Sequence, residues 1–352
     1  LVVDPSDQSH VYAGSWGDGL AEFSNLELVS SFDESNSVLA AGNDGDVRVH
    51  NLILDEQNNL WMINHDTEYP VVVKTTENEW VKHEYDVLRY YQIGDFIQDD
   101  QNDFKWGFLP ENNAVFVIDD NGTPSIMSDD RVKVEKPLDQ NGNLYDHKND
   151  DIYAMAQDLT GYIWIATEGG MLVETNPSSY FRDEAFKPSR VTISENGNSN
   201  YLLRDNEVTD ILVDPGNRKW IATARSGVFL ISEEGSNMVK HFTTENSPLF
   251  SNTVYDISLE EESGELFFLT SKGLISYRGE ANESANDFKD AYVFPNPVKP
   301  GYEGPITITG LIENVNVKIT DISGNLVYET VSQGGQAIWH GKNLSGRKVS
   351  SG

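Results

Sequence analysis

Repetition constrains this chain more than any single motif, because a repeated phrase must fold as a repeated unit. The phrase is an apolar strand, an acidic or Asn/Gly-containing turn, and an aromatic residue opening a second strand. It is clearest from Val208 to Thr223, where Ile211-Leu212-Val213 leads through Asp214-Pro215-Gly216-Asn217 to Trp220-Ile221-Ala222-Thr223. It returns from Ile152 to Thr167, from Val49 to Asn64 and from Ile93 to Leu109, with Asp99 and Asp100 in the last turn. A degenerate copy runs from Val254 to Thr270, and Leu1 to Ser15 hold the second half of the phrase. The opening strand of that first copy is expected upstream or from another part of the parent chain.

The aromatic anchors are Tyr12, Trp61, Trp106, Trp164, Trp220 and Phe267, spaced by 49, 45, 58, 56 and 47 residues. That period suits a four-stranded propeller blade. Short apolar runs punctuated by Asp-Pro, Asn-Gly, Gly-Gly and Asp-Gly are β chemistry, and no window shows a helical period. An aromatic at the start of the second strand wedges between blades. Gly170, Gly227 and Gly273 are placed to start the next hairpin strand, where a residue without Cβ turns most easily.

The expected fold is therefore all-β: a β-propeller of six or seven four-stranded blades over residues 1–280, followed by a small C-terminal β-sandwich. Residues 281–290 are polar and read as a linker. Residues 291–352 form the second domain, with alternation in Val315, Val317 and Ile319 and a hairpin turn at Asp321-Ile322-Ser323-Gly324-Asn325. A sandwich of this kind needs one more strand, expected beyond Ser351-Gly352.

Composition narrows the function. The 352 residues carry a formal charge of −32, which disfavours nucleic acid and an electrostatic dock onto anionic lipid. There is no cysteine, hence no disulfide, thiolate metal site or cysteine nucleophile. That suits an exported chain. No apolar run approaches the ~20 residues of a transmembrane helix.

No catalytic constellation stands out. Asp99-Asp100, Asp119-Asp120 and Asp129-Asp130 sit in turn contexts. Asn43-Asp44-Gly45-Asp46 and Asp99 to Asp103 are oxygen-rich, but neither matches a calcium loop. The histidines, including His50, His147 and His340, lack metal-site spacing. No cofactor and no metal are expected. The loops that follow each phrase offer a binding surface instead. Their candidates for a ligand or partner are Trp16, Asp18, His65, Glu168, Arg225 and Lys272, with Trp16 beside Asp18 a platform for a sugar ring. The alternative for Trp16 is packing against the neighbouring blade. Lys342, Arg347 and Lys348 are a basic group in an acidic chain, suited to an anionic glycan or partner, or to a solvated tail.

The segments Trp164 to Gly170 and Trp220 to Gly227 resemble the two-component-regulator propeller repeat of Bacteroidetes. Phe294-Pro295-Asn296-Pro297, Ile306-Thr307-Ile308 and Val317 to Gly324 resemble the type IX secretion C-terminal domain. Together they resemble a surface protein of the type IX attachment machinery, with two propellers before a retained C-terminal domain. The resemblance implies a non-enzymatic component at the cell surface and outer membrane. Its implied partners are other attachment-complex proteins and anionic lipopolysaccharide or another glycan. Two other readings are the glycan-sensing ectodomain of a hybrid two-component receptor and a secreted cargo protein carrying a sorting domain. The first predicts a transmembrane helix and the second a catalytic cluster.

Overall fold

The computed structural model describes residues 1–145, 151–182, 185–195 and 198–350. His147, Ser351 and Gly352 lie outside the described residues. The chain is all-β, of propeller type, and among the described residues its helical elements are short 3-10 turns between strands. It divides into two compact units, one of residues 1–191 and 201–207, the other of 192–200 and 208–352.

The first unit holds antiparallel sheets built in chain order. The first sheet does have its opening strand: Val2–Asp4 pairs with Asp7–Gly14, Val2 opposite Tyr12. This corrects the expectation of a strand upstream. The Asp4 carboxylate still makes the turn, accepting the Ser6 N–H at 2.8 Å, but the turn is tighter, with Asp4 opposite Asp7. The second sheet has five strands because Trp16–Gly17 leaves the first sheet and pairs with Val47–Leu54. Phe96–Asp99 to Arg131–Glu135 and Ile152–Gln157 to Ser189–Arg190 form the next two four-stranded sheets. In the second unit, Val208–Val213 to Met238–Phe242 form a four-stranded sheet and Val254–Glu260 to Gly273–Arg278 a three-stranded one. Residues 292–339 form two small antiparallel sheets.

The repeated phrase has a local cause. Asp214 Oδ1 accepts the N–H groups of Gly216 and Arg218, each at 3.0 Å, and Oδ2 accepts the Trp220 indole at 3.1 Å. Asp55 and Asp158 do the same, with indole contacts of 2.9 Å from Trp61 and 2.7 Å from Trp164. The spacing of Asp and Trp is six residues in each case. The copy at Asp99 is one residue longer. Its carboxylate takes the Gln101 and Asn102 N–H groups, and the buried Trp106 indole N–H has no partner among the described residues. Trp61, Trp106, Trp164 and Trp220 are all buried, and Trp61, Trp106 and Trp220 belong to hydrophobic cores between successive sheets of their units. Tyr12 is buried, whereas Phe267, in the three-stranded sheet, is half-buried.

A second repeated device follows a phenylalanine at the end of a strand. Phe32-Asp33-Glu34-Ser35-Asn36-Ser37 and Phe242-Thr243-Thr244-Glu245-Asn246-Ser247 close the same turn. Asn36 Oδ1 accepts the Asp33 N–H at 3.0 Å and Ser37 Oγ donates to Asp33 O at 2.5 Å. Asn246 and Ser247 repeat this on Thr243 at 2.8 and 2.7 Å. Side chains also staple sheet to sheet within each unit. Asp210 accepts the Ile257 N–H at 2.8 Å, and Asp95 accepts the Met155 N–H at 2.7 Å.

Asp95 gives the fold a pH dependence. Burial pushes its carboxyl up from 3.8 to about 6, against the lowering effect of the Met155 N–H. A folded pKa above the unfolded one adds stability at low pH, and that share is lost as pH rises through about 6. Asp95→Asn keeps an oxygen for Met155 and removes the charge. The variant is expected to gain about 2 kcal/mol relative to the parent between pH 4 and 7. Urea midpoints of both proteins at the two pH values check this; parallel pH profiles would contradict it.

Within residues 281–290, Ala281 and Asn282 are buried. The Glu283 N–H donates to Glu261 O at 2.7 Å and the Ala285 N–H to Leu311 O at 2.8 Å. Gln336, also buried, donates its amide to Gly279 O at 3.2 Å. Hydrogen bonds thus tie the start of this stretch to the strands before and after it.

Candidate functional site

The strand Val47–Leu54 alternates: Val47 and Val49 are buried while Arg48 and His50 face the other way, half-buried. Trp16 lies opposite Arg48 across the strand pair, so its indole is set on that same side. Its ring centroid lies 5.7 Å from His50 and 5.1 Å from His65, and the two imidazoles are 4.9 Å apart. Trp16 remains 60% exposed, so it offers a face to solvent and is not enclosed by a neighbouring sheet.

Arg48 organises the charges. Its guanidinium pairs with Asp44, with Asp46 at 3.1 Å and with Asp66 at 3.2 Å, and lies 5.8 Å from the Trp16 centroid. The oxygen-rich run at Asn43 to Asp46 therefore holds an arginine side chain as its cation. Arg48 holds the Asp44 carboxyl down at about 2, and the Gln92 amide, 2.7 Å away, lowers that of Asp66. Burial, with His65 beside it, pushes His50 down to about 4, so His50 is neutral at neutral pH. Beside Arg48 opens a groove of about 320 Å³ lined by Asn43, Asp44, Asp66, Thr67, Tyr90, Tyr91 and Gln92.

The candidates from the sequence separate. Trp16 and His65 come together. Asp18 is exposed beside them, its N–H bonded to Ser15 Oγ at 2.7 Å. Glu168 lies in another loop of the same unit, where its N–H donates to Asp151 O at 3.1 Å. Arg225 and Lys272 are exposed residues of the second unit. Sequence reasoning did not find Arg48, Asp66, Tyr90 or Gln92. The alternation Val47-Arg48-Val49-His50 is the one local signal, since it places Arg48 and His50 on one face.

Among the described residues, no group of three His, Asp or Glu side chains is placed to hold a metal ion. No helix among them is long and apolar enough to cross a membrane. The basic residues are unevenly distributed. Residues 291–352 hold five basic and four acidic side chains, so the whole negative excess lies in 1–290. Lys342, Arg347 and Lys348 are exposed, with Lys348 4.0 Å from Glu303.

No protein-family model matches the chain, and no curated protein matches it by sequence. A solved structure matches over 99% of the chain, at 31% identity and a TM-score of 0.75. The chain is similar to PorZ. That protein is described as an essential bacterial surface component of the type IX secretion system of Porphyromonas gingivalis. The chain spans 48% of the length of PorZ. An auxiliary nutrient binding protein from Bacteroides thetaiotaomicron matches with a TM-score of 0.49 at 11% identity, over 76% of this chain and 65% of its own. Virginiamycin B lyase from Staphylococcus aureus matches with a TM-score of 0.42 at 10% identity, over 80% of this chain and 83% of its own.

Proposed function

We propose that this protein is a non-enzymatic surface component of type IX secretion, a docking scaffold that helps attach secreted cargo to anionic lipopolysaccharide. The observation that carries the reading is the similarity to PorZ along 99% of the chain at 31% identity. Two features of the chain support it. The near-neutral charge of residues 291–352 lets Lys342, Arg347 and Lys348 approach an anionic surface that the acidic remainder repels. The hydrogen bonds at Asn282, Glu283 and Ala285 hold that part onto the preceding strands, as a retained domain requires.

The test is a pull-down of the tagged full-length protein from outer-membrane fractions of a type IX-competent bacterium. Attachment-complex proteins and anionic lipopolysaccharide are expected to co-purify with a chain that is intact through residue 352. Recovery of the protein alone, trimmed near Phe294 and released to the medium, would overturn the reading in favour of secreted cargo.

A further inference from the structure

The groove beside Arg48 has a composition that selects its ligand. Two aromatic faces are open to solvent near it, Trp16 at 60% and Tyr90 at 67% exposure. Tyr90 has a φ of +61°, a left-handed conformation that costs an aromatic residue about 1–2 kcal/mol. Its N–H bonds to Glu68 O at 3.0 Å and the Arg89 guanidinium lies 5.1 Å from its ring. Strain of this kind persists where the surrounding structure holds it, and such positions cluster at ligand clamps. Planar polar groups line the groove beside Tyr90: the Asp44 and Asp66 carboxylates, the Asn43 and Gln92 amides, and Arg48, which lies 5.8 Å from the Trp16 centroid. Asp44 stays half open to solvent, so lone pairs remain free beyond those held by Arg48.

Aromatic faces pack against the C–H face of a pyranose, and planar amides and carboxylates pair with its hydroxyls. The charge decides which sugar. Three carboxylates, Asp44, Asp46 and Asp66, surround one guanidinium, so the groove is net negative in a chain that is itself strongly acidic. An anionic ligand is repelled. The half-buried His50 is neutral at neutral pH and does not offset this. The volume of about 320 Å³ lies at the small end of ligand pockets, which run about 300–1,000 Å³.

We propose that the Trp16–Arg48–Tyr90 groove is a binding site for a neutral sugar ring, stacked on the aromatics and hydrogen-bonded by Asp44, Asp66 and Gln92. The site is separate from any contact with anionic lipopolysaccharide, and it stands or falls independently of the secretion reading.

Saturation-transfer NMR and intrinsic tryptophan fluorescence of the full chain test it. The probes are neutral oligosaccharides of glucose, galactose, mannose and N-acetylglucosamine, with oligogalacturonate as the anionic comparison. At least one neutral probe is expected to bind, with an affinity unchanged between low and moderate salt. Trp16→Ala is expected to weaken that binding by roughly tenfold or more. Tyr90→Gly is expected to weaken it too while raising thermal stability, because glycine adopts the left-handed backbone without strain. That opposed pair of effects is not produced by a purely structural tyrosine. Three results would overturn the site: no neutral probe binds, only oligogalacturonate binds and does so with strong salt dependence, or both folded variants bind like the parent.

Discussion

Replacing Asp214 by alanine is expected to destabilise the second unit by about 3–5 kcal/mol. The carboxylate is 2% exposed and serves four groups. It accepts the Gly216 and Arg218 N–H groups at 3.0 Å and the Trp220 indole at 3.1 Å, and pairs with the Arg218 guanidinium at 2.8 Å. Arg218 is itself buried, and the longer contact to Glu280, at 3.7 Å, does not replace the lost pair. Truncation strands a buried cation and buried donors, so the cost is desolvation more than the net worth of any bond. The internal comparison is Asp321→Ala. Asp321 accepts the Ser323 and Asn325 N–H groups, each at 2.9 Å, in the same kind of turn, but on an exposed loop. Its loss is expected to cost about 1 kcal/mol or less, since water satisfies the released groups. Thermal and urea unfolding of both variants decide the matter. Equal effects would show that the turn, and not burial of the Asp–Arg–Trp network, sets the stability.

Gly227→Ala is expected to cost about 2–5 kcal/mol. Gly227 has a φ of +79°, and a Cβ there would overlap the Phe242 carbonyl oxygen. The overlap is with backbone, and the Gly227 N–H is fixed to Asn252 O at 2.9 Å, so relief requires the strand Met238–Phe242 to move. Gly19 meets the Phe32 carbonyl in the same way, which makes this a property of the repeat. Gly324→Ala separates strain from overlap. Gly324 has a φ of +84°, and a methyl group added there would meet nothing within 4 Å, so only the backbone term of about 1 kcal/mol applies. If Gly227→Ala unfolded with the Gly324→Ala midpoint, close packing at that turn would not be the constraint.

What the sequence determined by itself is local. The Asp at one end of the turn and the Trp six residues on meet through hydrogen bonds that span only those residues, so their spacing alone writes the turn and marks the repeat. The β character and the strand pairs joined by those turns follow from it. The exception is equally local: one extra residue after Asp99 leaves the Trp106 indole without the carboxylate that serves the other tryptophans. The Asn-Ser turns at Asn36 and Asn246 were legible in principle, but two copies carry little signal against a polar background.

The groove was decided only by tertiary structure. Trp16 and His65 stood out as loop residues, but Arg48, Asp66, Tyr90 and Gln92 reach the same place from separate parts of the chain. Their meeting depends on Trp16–Gly17 crossing to the strand of Arg48 and on that strand's register, which sets the side of the sheet each side chain faces. A shift of one residue would send Arg48 and His50 into the core and Val47 and Val49 out. Spacing along the chain encodes hydrogen bonds that close within a turn. It does not encode which strands become neighbours, and the aromatic and charged rim of the groove is a consequence of that pairing.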